Sequence, residues 1–266
     1  MSQARCHIVI PARLASTRLP EKLLRRAGGK SVLHHTYDAA MRSQRCDGVV
    51  VAVDAPQMAE EVESFGGRWI MTSVDHTSGT DRIAEVARQM PEVDVFVNVQ
   101  GDEPEISPAT IDSVAGLLMD DPSADMATAG TPIRSLDQLS TPNCVKIVMG
   151  GYRADSDLLP GGAGRGRAVY FSRAAVPFVR DCDPADRIHD EPPIYWHHLG
   201  LYAYRREFLG WFESQPASLL ETTEKLEQLR AIEAGKKILV TRVPSATAGI
   251  DTAADLEAFA ARLAAR

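Results

Sequence analysis

The sequence predicts an α/β fold in which helices cover a mostly parallel sheet on both faces. Three observations support this prediction. Strand and helix segments alternate through the first half of the chain. The strand segments are continuously apolar, which is typical of strands buried on both faces. The helical segments place apolar residues three, four and seven positions apart, so that each helix has one face for the sheet.

In this first half, the strands are short runs rich in β-branched residues and the helices are amphipathic. The clearest helix repeats its apolar residues at Ile83, Val86, Ala87 and Met90. Another begins at Pro108, since proline suits the first position of a helix. The predicted strands are 6–10, 48–53, 68–72 and 93–99, and the predicted helices are 32–43, 57–65, 81–90 and one from 108.

From residue 126 the pattern changes, because loops rather than regular helices separate the strands. A glycine-rich surface loop is predicted at 160–167. The predicted helix 220–234 is stopped by Gly235, a common residue just past a helix end. The predicted strands are 126–133, 144–149, 168–171, 197–204 and 237–243, and the last predicted helix is 252–263.

Composition excludes several classes of protein. The chain has 266 residues, 29 Lys and Arg, and 36 Asp and Glu, a net charge of −7, which argues against nucleic-acid binding as the main function. The four cysteines form no metal-binding pattern in sequence and are expected to be reduced, mostly packed thiols. The apolar stretch near the N-terminus is too short for a signal peptide, and no apolar run could cross a bilayer. We therefore expect a cytoplasmic protein without membrane contact.

The first candidate site is the polar loop 11–22, which directly follows the N-terminal strand. Open α/β folds bind ligands at the carboxyl ends of their strands. Arg13, Arg18 and Lys22 supply three cations, and small residues such as Ala12 let backbone amides approach a ligand. Such a loop suits a triphosphate. It is neither a Walker A loop nor a GxGxxG turn. The alternative is a basic loop exposed to solvent.

Two acidic segments come next. After the strand 93–99, Gly101 permits a tight turn, and Asp102 and Glu103 offer hard oxygen ligands of the kind that Mg²⁺ prefers. The alternative there is an ordinary acidic turn. Asp251 lies directly before the last helix and could bring a second carboxylate to the same edge. Its alternative role is that of an N-cap.

Two further segments give weaker signals. In 75–82, Ser78 could bind a base or ribose and Arg82 could reach a phosphate, although a capping turn is an equal alternative. On the strand 197–204, His198 and Tyr202 share one face because side chains alternate along a strand. A face of His and Tyr suits a hydroxylated ligand. The alternative is a histidine packed in the core.

Together these segments resemble the 3-deoxy-manno-octulosonate (Kdo) cytidylyltransferases, also called CMP-Kdo synthetases. The matching segments occur in order and cover nearly the whole chain. They are IPARLASTRLPEKLL (10–24), SGTDRIAEV (78–86), VNVQGDEPEI (97–106), YFSRAAVPF (170–178), HLGLYAYR (198–205), LEQLRAIEAGKKI (226–238) and GIDTAADLE (249–257).

The resemblance implies a nucleotide-diphosphosugar-transferase-like fold in one domain, 1–266, with a smaller sugar-binding and dimerisation lobe at about 126–210. It implies a homodimer that transfers CMP from CTP to the C2 hydroxyl of Kdo and releases pyrophosphate. The product would serve lipopolysaccharide or capsule synthesis. Mg²⁺ is the implied cofactor.

The resemblance also implies roles for individual residues. The residues implied in catalysis are Arg18, Lys22, Asp102 and Asp251, of which the two aspartates hold Mg²⁺. The residues implied at CTP are Ala12, Arg13, Arg18, Lys22, Ser78, Arg82 and Gln100, with either Ser78 or Gln100 at the cytosine. The residues implied at the sugar acid are His198, Tyr202 and Gln228.

The chain departs from the family pattern in two places. Glu21 stands where the family usually has glycine, which adds a negative charge and a stiffer backbone beside Lys22. The segment 150–167 is longer than the usual turn, and we expect it to extend a surface hairpin without a chemical role.

Three other functions compete with this reading. A cytidylyltransferase for another sugar acid, such as 8-amino-Kdo or a sialic acid, would keep the CTP site and change the sugar site. A GT-A-type glycosyltransferase would use a finished nucleotide sugar, and the cationic loop 11–22 argues against it. A catalytically silent subunit would lack Lys22, Asp102 or Asp251, and all three are present.

Overall fold

The structure, a computed structural model, describes residues 4–16, 18–76, 78–154 and 164–265. The chain forms two compact units. The first consists of Met1–Gly116, Ala203–Glu213 and Thr247–Arg266, and the second of Leu117–Tyr202 and Ser214–Ala246. The predicted α/β class is confirmed. The predicted lobe boundaries at about 126–210 stay a prediction.

The elements follow the chain in this order. The strands are β1 (Cys6–Ala12), β2 (Arg26–Ala27), β3 (Lys30–Ser31), β4 (Gly48–Val53), β5 (Trp69–Met71), β6 (Val95–Asn98), β7 (Met126–Pro132), β8 (Lys146–Ala154), β9 (Gly164–Ser172), β10 (Trp196–Arg205) and β11 (Ile238–Arg242). The α-helices are α1 (Val32–Ala40), α2 (Pro56–Ser64), α3 (Gly79–Gln89), α4 (Pro108–Asp120), α5 (Leu136–Ser140), α6 (Pro184–Arg187), α7 (Arg206–Ser214), α8 (Leu219–Glu224), α9 (Gln228–Glu233) and α10 (Ala253–Ala264). A 3-10 turn covers Lys22–Leu24.

The first unit contains the parallel strands β5-β4-β1-β6 in that order. Central β1 pairs with both neighbours, and its residues Ile8, Val9 and Ile10 are fully buried. This explains why its sequence is apolar without alternation. Because β1 and β6 are parallel neighbours, the loops that follow Ala12 and Asn98 leave the same edge of the sheet.

The second unit contains the strand order β10-β7-β11-β9-β8. Strand β11 is parallel to β7 and antiparallel to β9. Strand β8 pairs with β9 and also, through Lys146 and Ile147, with the start of β10. This part of the sheet is therefore curled, and it contains the predicted hairpin of β8 and β9.

Two sequence predictions in the second unit are corrected. The predicted helix 220–234 is two helices, α8 and α9, because Lys225 between them has a left-handed backbone (φ 55°). Arg173 stabilises this break by donating to the carbonyl oxygens of Glu224 and Lys225. The predicted loop 160–167 is wrong for Gly164 onward, since β9 begins there.

Some sequence predictions fall outside the described residues, and some helices were not expected. Thr17, Thr77 and residues 155–163, which belong to predicted loops, lie outside the described residues. Helices α5, α6 and α7 were not predicted. Within the described ranges, no helix combines the length and the apolar character needed to cross a bilayer.

Candidate active site

A lysine lies between two carboxylates in the first unit. Nζ of Lys22 is 2.5 Å from Oδ2 of Asp102 and 2.9 Å from Oδ1 of Asp251. The other carboxylate oxygen of Asp251 forms an ion pair of 2.9 Å with Arg18. The structure thus brings together the four residues that the sequence predicted as a catalytic group. Their catalytic role stays a prediction.

The Lys22 side chain is only 14% exposed, whereas that of Arg18 is 69% exposed. An ion pair that water screens contributes little to folding stability, so the Arg18 pair is weak. The Lys22 contacts are partly withdrawn from water and therefore hold a more definite geometry. Arg18 remains accessible to an anionic ligand.

Backbone contacts explain how the turn after β6 reaches the loop after β1. The Thr36 hydroxyl, on α1, donates to the carbonyl oxygen of Gly101 at 2.9 Å. A Cβ at position 101 would lie 3.0 Å from the Pro11 carbonyl oxygen and 3.1 Å from a Leu23 methyl carbon. Glycine therefore lets the two chain segments approach this closely without a shift of either neighbour. The Ile250 amide donates to the Asp102 carbonyl oxygen at 2.9 Å, which holds the neighbouring Asp251 in place.

Asp251 is not the N-cap of the last helix. Thr252 caps α10, and its hydroxyl accepts from the Asp255 amide while the Asp255 carboxylate accepts from the Thr252 amide. This capping box satisfies the helix terminus without the Asp251 side chain. The Asp251 carboxylate is consequently available to cations.

The Lys22 ammonium group is protonated at neutral pH. Burial lowers the pKa of its ammonium group, but hydrogen bonds and the charges of Asp102 and Asp251 outweigh burial and raise the pKa above its ordinary value. With Arg18, the cluster therefore places two permanent cations against two carboxylates at neutral pH.

The carboxyl of Glu103 binds a proton more readily than an ordinary glutamate. Burial, and then the charge of Asp102, raise the pKa of its carboxyl to about 7. Its Oε2 atom accepts from the Thr247 hydroxyl at 3.3 Å. Asp102 and Glu103 are both predicted oxygen ligands, and the contact with Lys22 favours Asp102 for that role.

The unusual Glu21 has a positive φ of 51°, in the left-handed region. It begins the 3-10 turn that carries Lys22. A residue with a side chain is strained there and glycine is not. The backbone conformation is thus one physical reason for glycine at this position. The negative charge that Glu21 adds beside Lys22 is another.

Arg82 is fully buried beneath the first loop rather than exposed. It donates to the Thr72 hydroxyl and, at 3.3 Å, to Oδ2 of Asp54. Oδ1 of Asp54 accepts from the Leu14 amide at 2.9 Å. Asp54, which the sequence analysis did not single out, therefore links α3 to the loop 11–22. Its position directly after β4, at the same sheet edge, is the signal that could have identified it.

The remaining residues expected at CTP lie at the ends of elements of the first unit or in the loops that follow them. Ser78 caps α3 by accepting from the Asp81 amide at 3.0 Å, the alternative that the sequence analysis kept open. Ala12 is the last residue of β1, and Gln100 follows β6. Within the described ranges the Arg13 guanidinium has no hydrogen-bond partner, so it can bind an added anion.

The residues expected at the sugar acid lie in the second unit. The ring of His198 lies 5.3 Å from that of Tyr202, in agreement with their predicted common face. Nε2 of His198 is 3.1 Å from the Thr128 hydroxyl, which is also 2.8 Å from the Leu201 carbonyl oxygen. The hydroxyl has one proton, which the carbonyl accepts, so Nε2 is the donor to Thr128. Nδ1 of His198 is then an acceptor.

The protonation state of His198 and the buried amide nitrogen of Gln228 suit these residues to a polar ligand. Burial, with a smaller effect of His197, lowers the pKa of His198 to about 3, so the ring is neutral. Gln228 is buried at the start of α9, and its Nε2 atom has no hydrogen-bond partner among the described residues. A buried amide donor without a partner is costly unless a ligand or water satisfies it.

A parallel sheet with a cationic loop and paired carboxylates at its carboxyl edge defines a nucleotide-binding α/β enzyme. The Cytidylyltransferase family model matches residues 7–238. The chain therefore belongs to the cytidylyltransferase family.

Individual relatives agree with this assignment. The chain is 56% identical over 259 residues to the 3-deoxy-manno-octulosonate cytidylyltransferase of Rhodopirellula baltica, covering 97% of this chain and 98% of that protein. It is 43% identical to the Geobacter sulfurreducens protein of the same name, covering 94% and 95%. A solved structure of CMP:2-keto-3-deoxy-manno-octonic acid synthetase complexed with CTP superposes with a TM-score of 0.87 at 37% identity, covering 98% and 99%.

Proposed function

We propose that this protein transfers CMP from CTP to the C2 hydroxyl of Kdo, producing CMP-Kdo and pyrophosphate. The observation that carries the proposal is the position of Lys22 between Asp102 and Asp251. The names of the relatives and the CTP in the similar solved structure support the choice of substrates.

The cationic residues would act on the triphosphate. Lys22 and the exposed Arg18 would neutralise charge on the phosphates, and they would stabilise the pyrophosphate as it leaves. Arg13 would add a planar guanidinium for a phosphate. Attack by the C2 oxygen needs two anions held close together, so positioning and charge neutralisation are the main tasks of the protein.

Asp102 and Asp251 would hold Mg²⁺. The donor set fits this ion, since Mg²⁺ commonly takes one or two carboxylates and completes its shell with phosphate oxygens and water. In the part of the chain that the structure describes, no cluster of three or more acidic, histidine or cysteine side chains could hold a metal by itself. When bound, the ion would neutralise phosphate charge and lower the pKa of the attacking hydroxyl.

The second unit would recognise the sugar acid. His198 offers an acceptor at Nδ1 because Nε2 donates to Thr128. Gln228 offers the buried Nε2 donor. A site that depends on such hydrogen bonds rejects analogues that leave them unmade. His198, Tyr202 and Gln228 would therefore select among sugar acids rather than among nucleotides.

The proposal also covers the oligomeric state, the cellular compartment and the use of the product. We infer a homodimer in the cytoplasm whose product serves lipopolysaccharide or capsule synthesis. Sedimentation would test the dimer, because a monomer at assay concentration with full turnover would exclude a required dimer.

The decisive experiment measures pyrophosphate release with CTP, Mg²⁺ and a panel of sugar acids. Kdo should be turned over, N-acetylneuraminate weakly or not at all, and ATP or GTP should replace CTP poorly. A better rate with 8-amino-Kdo would shift the assignment to that acid. Equal rates with Kdo and N-acetylneuraminate would leave only a general sugar-acid cytidylyltransferase. No pyrophosphate with any acid, from folded protein, would refute the enzyme itself.

A further inference from the structure

Two cysteines that are distant in sequence lie in direct contact. Sγ of Cys6, at the start of β1, is 3.4 Å from Sγ of Cys46, in the loop before β4. Cys6 is completely buried and Cys46 is half-buried. Both are free thiols. The sequence spacing gave no sign of this pair, because 40 residues separate its members.

The backbone holds the two cysteines in position. The Asp47 amide donates to the Cys6 carbonyl oxygen at 2.7 Å. In return, the Cys6 amide donates to Oδ2 of Asp47 at 2.9 Å. Strand pairing continues directly from this point, with His7 opposite Gly48. The sulfur atoms are therefore neighbours because of the sheet, rather than through a chance arrangement of two side chains.

The contact gives the two thiols different chemistry. Either thiol can donate in this contact; when Cys46 ionises, the Cys6 thiol is the donor, and this hydrogen bond lowers the pKa of the Cys46 thiol in spite of its burial. The nearby carboxylates of Asp112 and Asp47 act in the opposite direction. The same hydrogen bond, together with burial, raises the pKa of Cys6. Cys46 is thus the less buried residue of the pair and the one that forms a thiolate more readily.

We propose that Cys46 and Cys6 form an oxidant-sensitive pair that a hydroperoxide converts into an intramolecular disulfide. The Cys46 thiolate attacks the terminal oxygen of the hydroperoxide, the O–O bond breaks, and Cys46 becomes a sulfenic acid while hydroxide leaves from hydrogen peroxide, or alkoxide from an organic hydroperoxide. The Cys6 sulfur then attacks the Cys46 sulfur, an S–S bond forms, and the sulfenic oxygen leaves as water with the Cys6 proton. Two thiols are oxidised and one peroxide is reduced.

The position of the pair predicts what the disulfide would change. Cys6 begins β1 and Ala12 ends it, so the thiols lie about 20 Å from the loop that carries Lys22, at the usual strand rise. The crosslink would close the chain from Cys6 to Cys46 and restrict the unfolded state. We therefore expect oxidation to raise the resistance to unfolding and to leave turnover unchanged.

The other two cysteines provide a matched control. Cys144 is buried and Cys182 is half-buried, as in the reactive pair, but neither makes a sulfur–sulfur contact in the described ranges. A Cys144→Ser/Cys182→Ser double variant keeps the proposed pair and removes the competing thiols. Cys6→Ser and Cys46→Ser each remove one member of the pair.

The experiment treats the full chain with hydrogen peroxide and maps its peptides by mass spectrometry. The wild type should lose two of its four thiols, and the joined peptides of Cys6 and Cys46 should weigh about 2 Da less than the reduced pair. A dithiol reductant should reverse the change. The control double variant should form the same crosslink, and the thermal midpoint of the oxidised protein should rise by about 5 °C.

The single variants separate the two roles. Cys6→Ser should stop at a Cys46 sulfenic acid that dimedone traps, and Cys46→Ser should react at neither position of the pair. Crosslinks that join two chains, or oxidation of Cys182 with Cys6 and Cys46 still reduced, would overturn the proposal. Because the wild-type peptide map decides this by itself, poor folding of a variant would not leave the matter open.

Discussion

Nζ of Lys22 lies 2.5 Å from Oδ2 of Asp102 although 80 residues separate them in sequence. The contact joins the loop after β1 to the turn after β6, which are parallel neighbours. Lys22 also contacts Asp251, so one ammonium group bridges two carboxylates. Loss of any member should therefore change the charge that a triphosphate encounters.

Replacement of the lysine should weaken both substrate binding and turnover. In Lys22→Met we expect the KM for CTP to rise and kcat to fall by about 100-fold, the usual scale for a major electrostatic contact. Steady-state kinetics at saturating Mg²⁺ would measure both. Lys30→Met is the control, because Lys30 forms an exposed ion pair with Asp38. Similar losses in both variants would mean that the effect is not local to Lys22.

The two carboxylates should matter for turnover more than for stability. Asp102→Asn and Asp251→Asn should each lower kcat by at least about 100-fold. CTP binding should fall less, since the triphosphate brings its own Mg²⁺. Asp38→Asn is the control, because Asp38 lies in an exposed ion pair with Lys30 on another part of the first unit. It should leave kcat intact. Near-normal turnover in folded Asp102→Asn or Asp251→Asn would exclude that residue as a metal ligand.

The strained residue beside the lysine offers a test that separates charge from backbone. Glu21→Gly should tighten CTP binding, because it removes a carboxylate near the phosphates. It should also raise the free energy of unfolding by up to about 1 kcal/mol, since glycine tolerates the positive φ of this position. Glu21→Ala should tighten CTP binding without the gain in stability. Calorimetric titration and chemical denaturation give the two readouts. Weaker CTP binding in both variants would show that the carboxylate supports the loop.

The buried amide of the second unit should affect only the sugar acid. We expect Gln228→Ala to raise the KM for Kdo far more than the KM for CTP, because its Nε2 donor would be satisfied by the acceptor substrate. Gln215→Ala is the control, since that glutamine is exposed. Initial rates with each substrate varied in turn would decide. Equal effects on both KM values would assign Gln228 a general structural role.

The neutral histidine predicts a dependence of stability on pH. The pKa of His198 is about 3 in the folded chain and near 6.5 when exposed, so the unfolded chain binds the proton more readily between these values. Its contribution is complete above pH 6.5 and is lost as the pH falls toward 3. The slope is at most about 1.4 kcal/mol per pH unit. Urea denaturation at several pH values should give a smaller slope for His198→Gln. An unchanged slope would show that other groups govern the acid limb.

Sequence patterns were sufficient for the parallel sheet because its strands, such as β1 and β4, are apolar throughout. They also indicated that the loops of Lys22 and Asp102 share an edge, whereas for Asp251 they left an N-cap as the alternative. The break at Lys225 was not visible, because the flanking residues suit a continuous helix and the break depends on Arg173, far away in sequence. Tertiary hydrogen bonds outweigh local helix propensity there.

The same limit applies to the partners of the site residues. Asp54 is one acidic residue among many in sequence, and only its contacts with Arg82 and Leu14 distinguish it. Thr128 determines which ring nitrogen of His198 donates, and strand pairing decides that contact. Local sequence indicates which residue types are available, but long-range packing decides which atoms are satisfied.

The contact at Gly101 has a consequence for how the site forms. Gly101 packs closely against the Pro11 carbonyl oxygen and the Leu23 side chain, so the chain segments after β1 and β6 already lie in direct contact. The loop 11–22 and the turn that carries Asp102 should therefore be preorganised before any substrate arrives. Little conformational entropy would be lost there on binding, so affinity would depend mainly on charge. Substitution of surrounding side chains could then retune that charge while the spacing of the two loops stays the same.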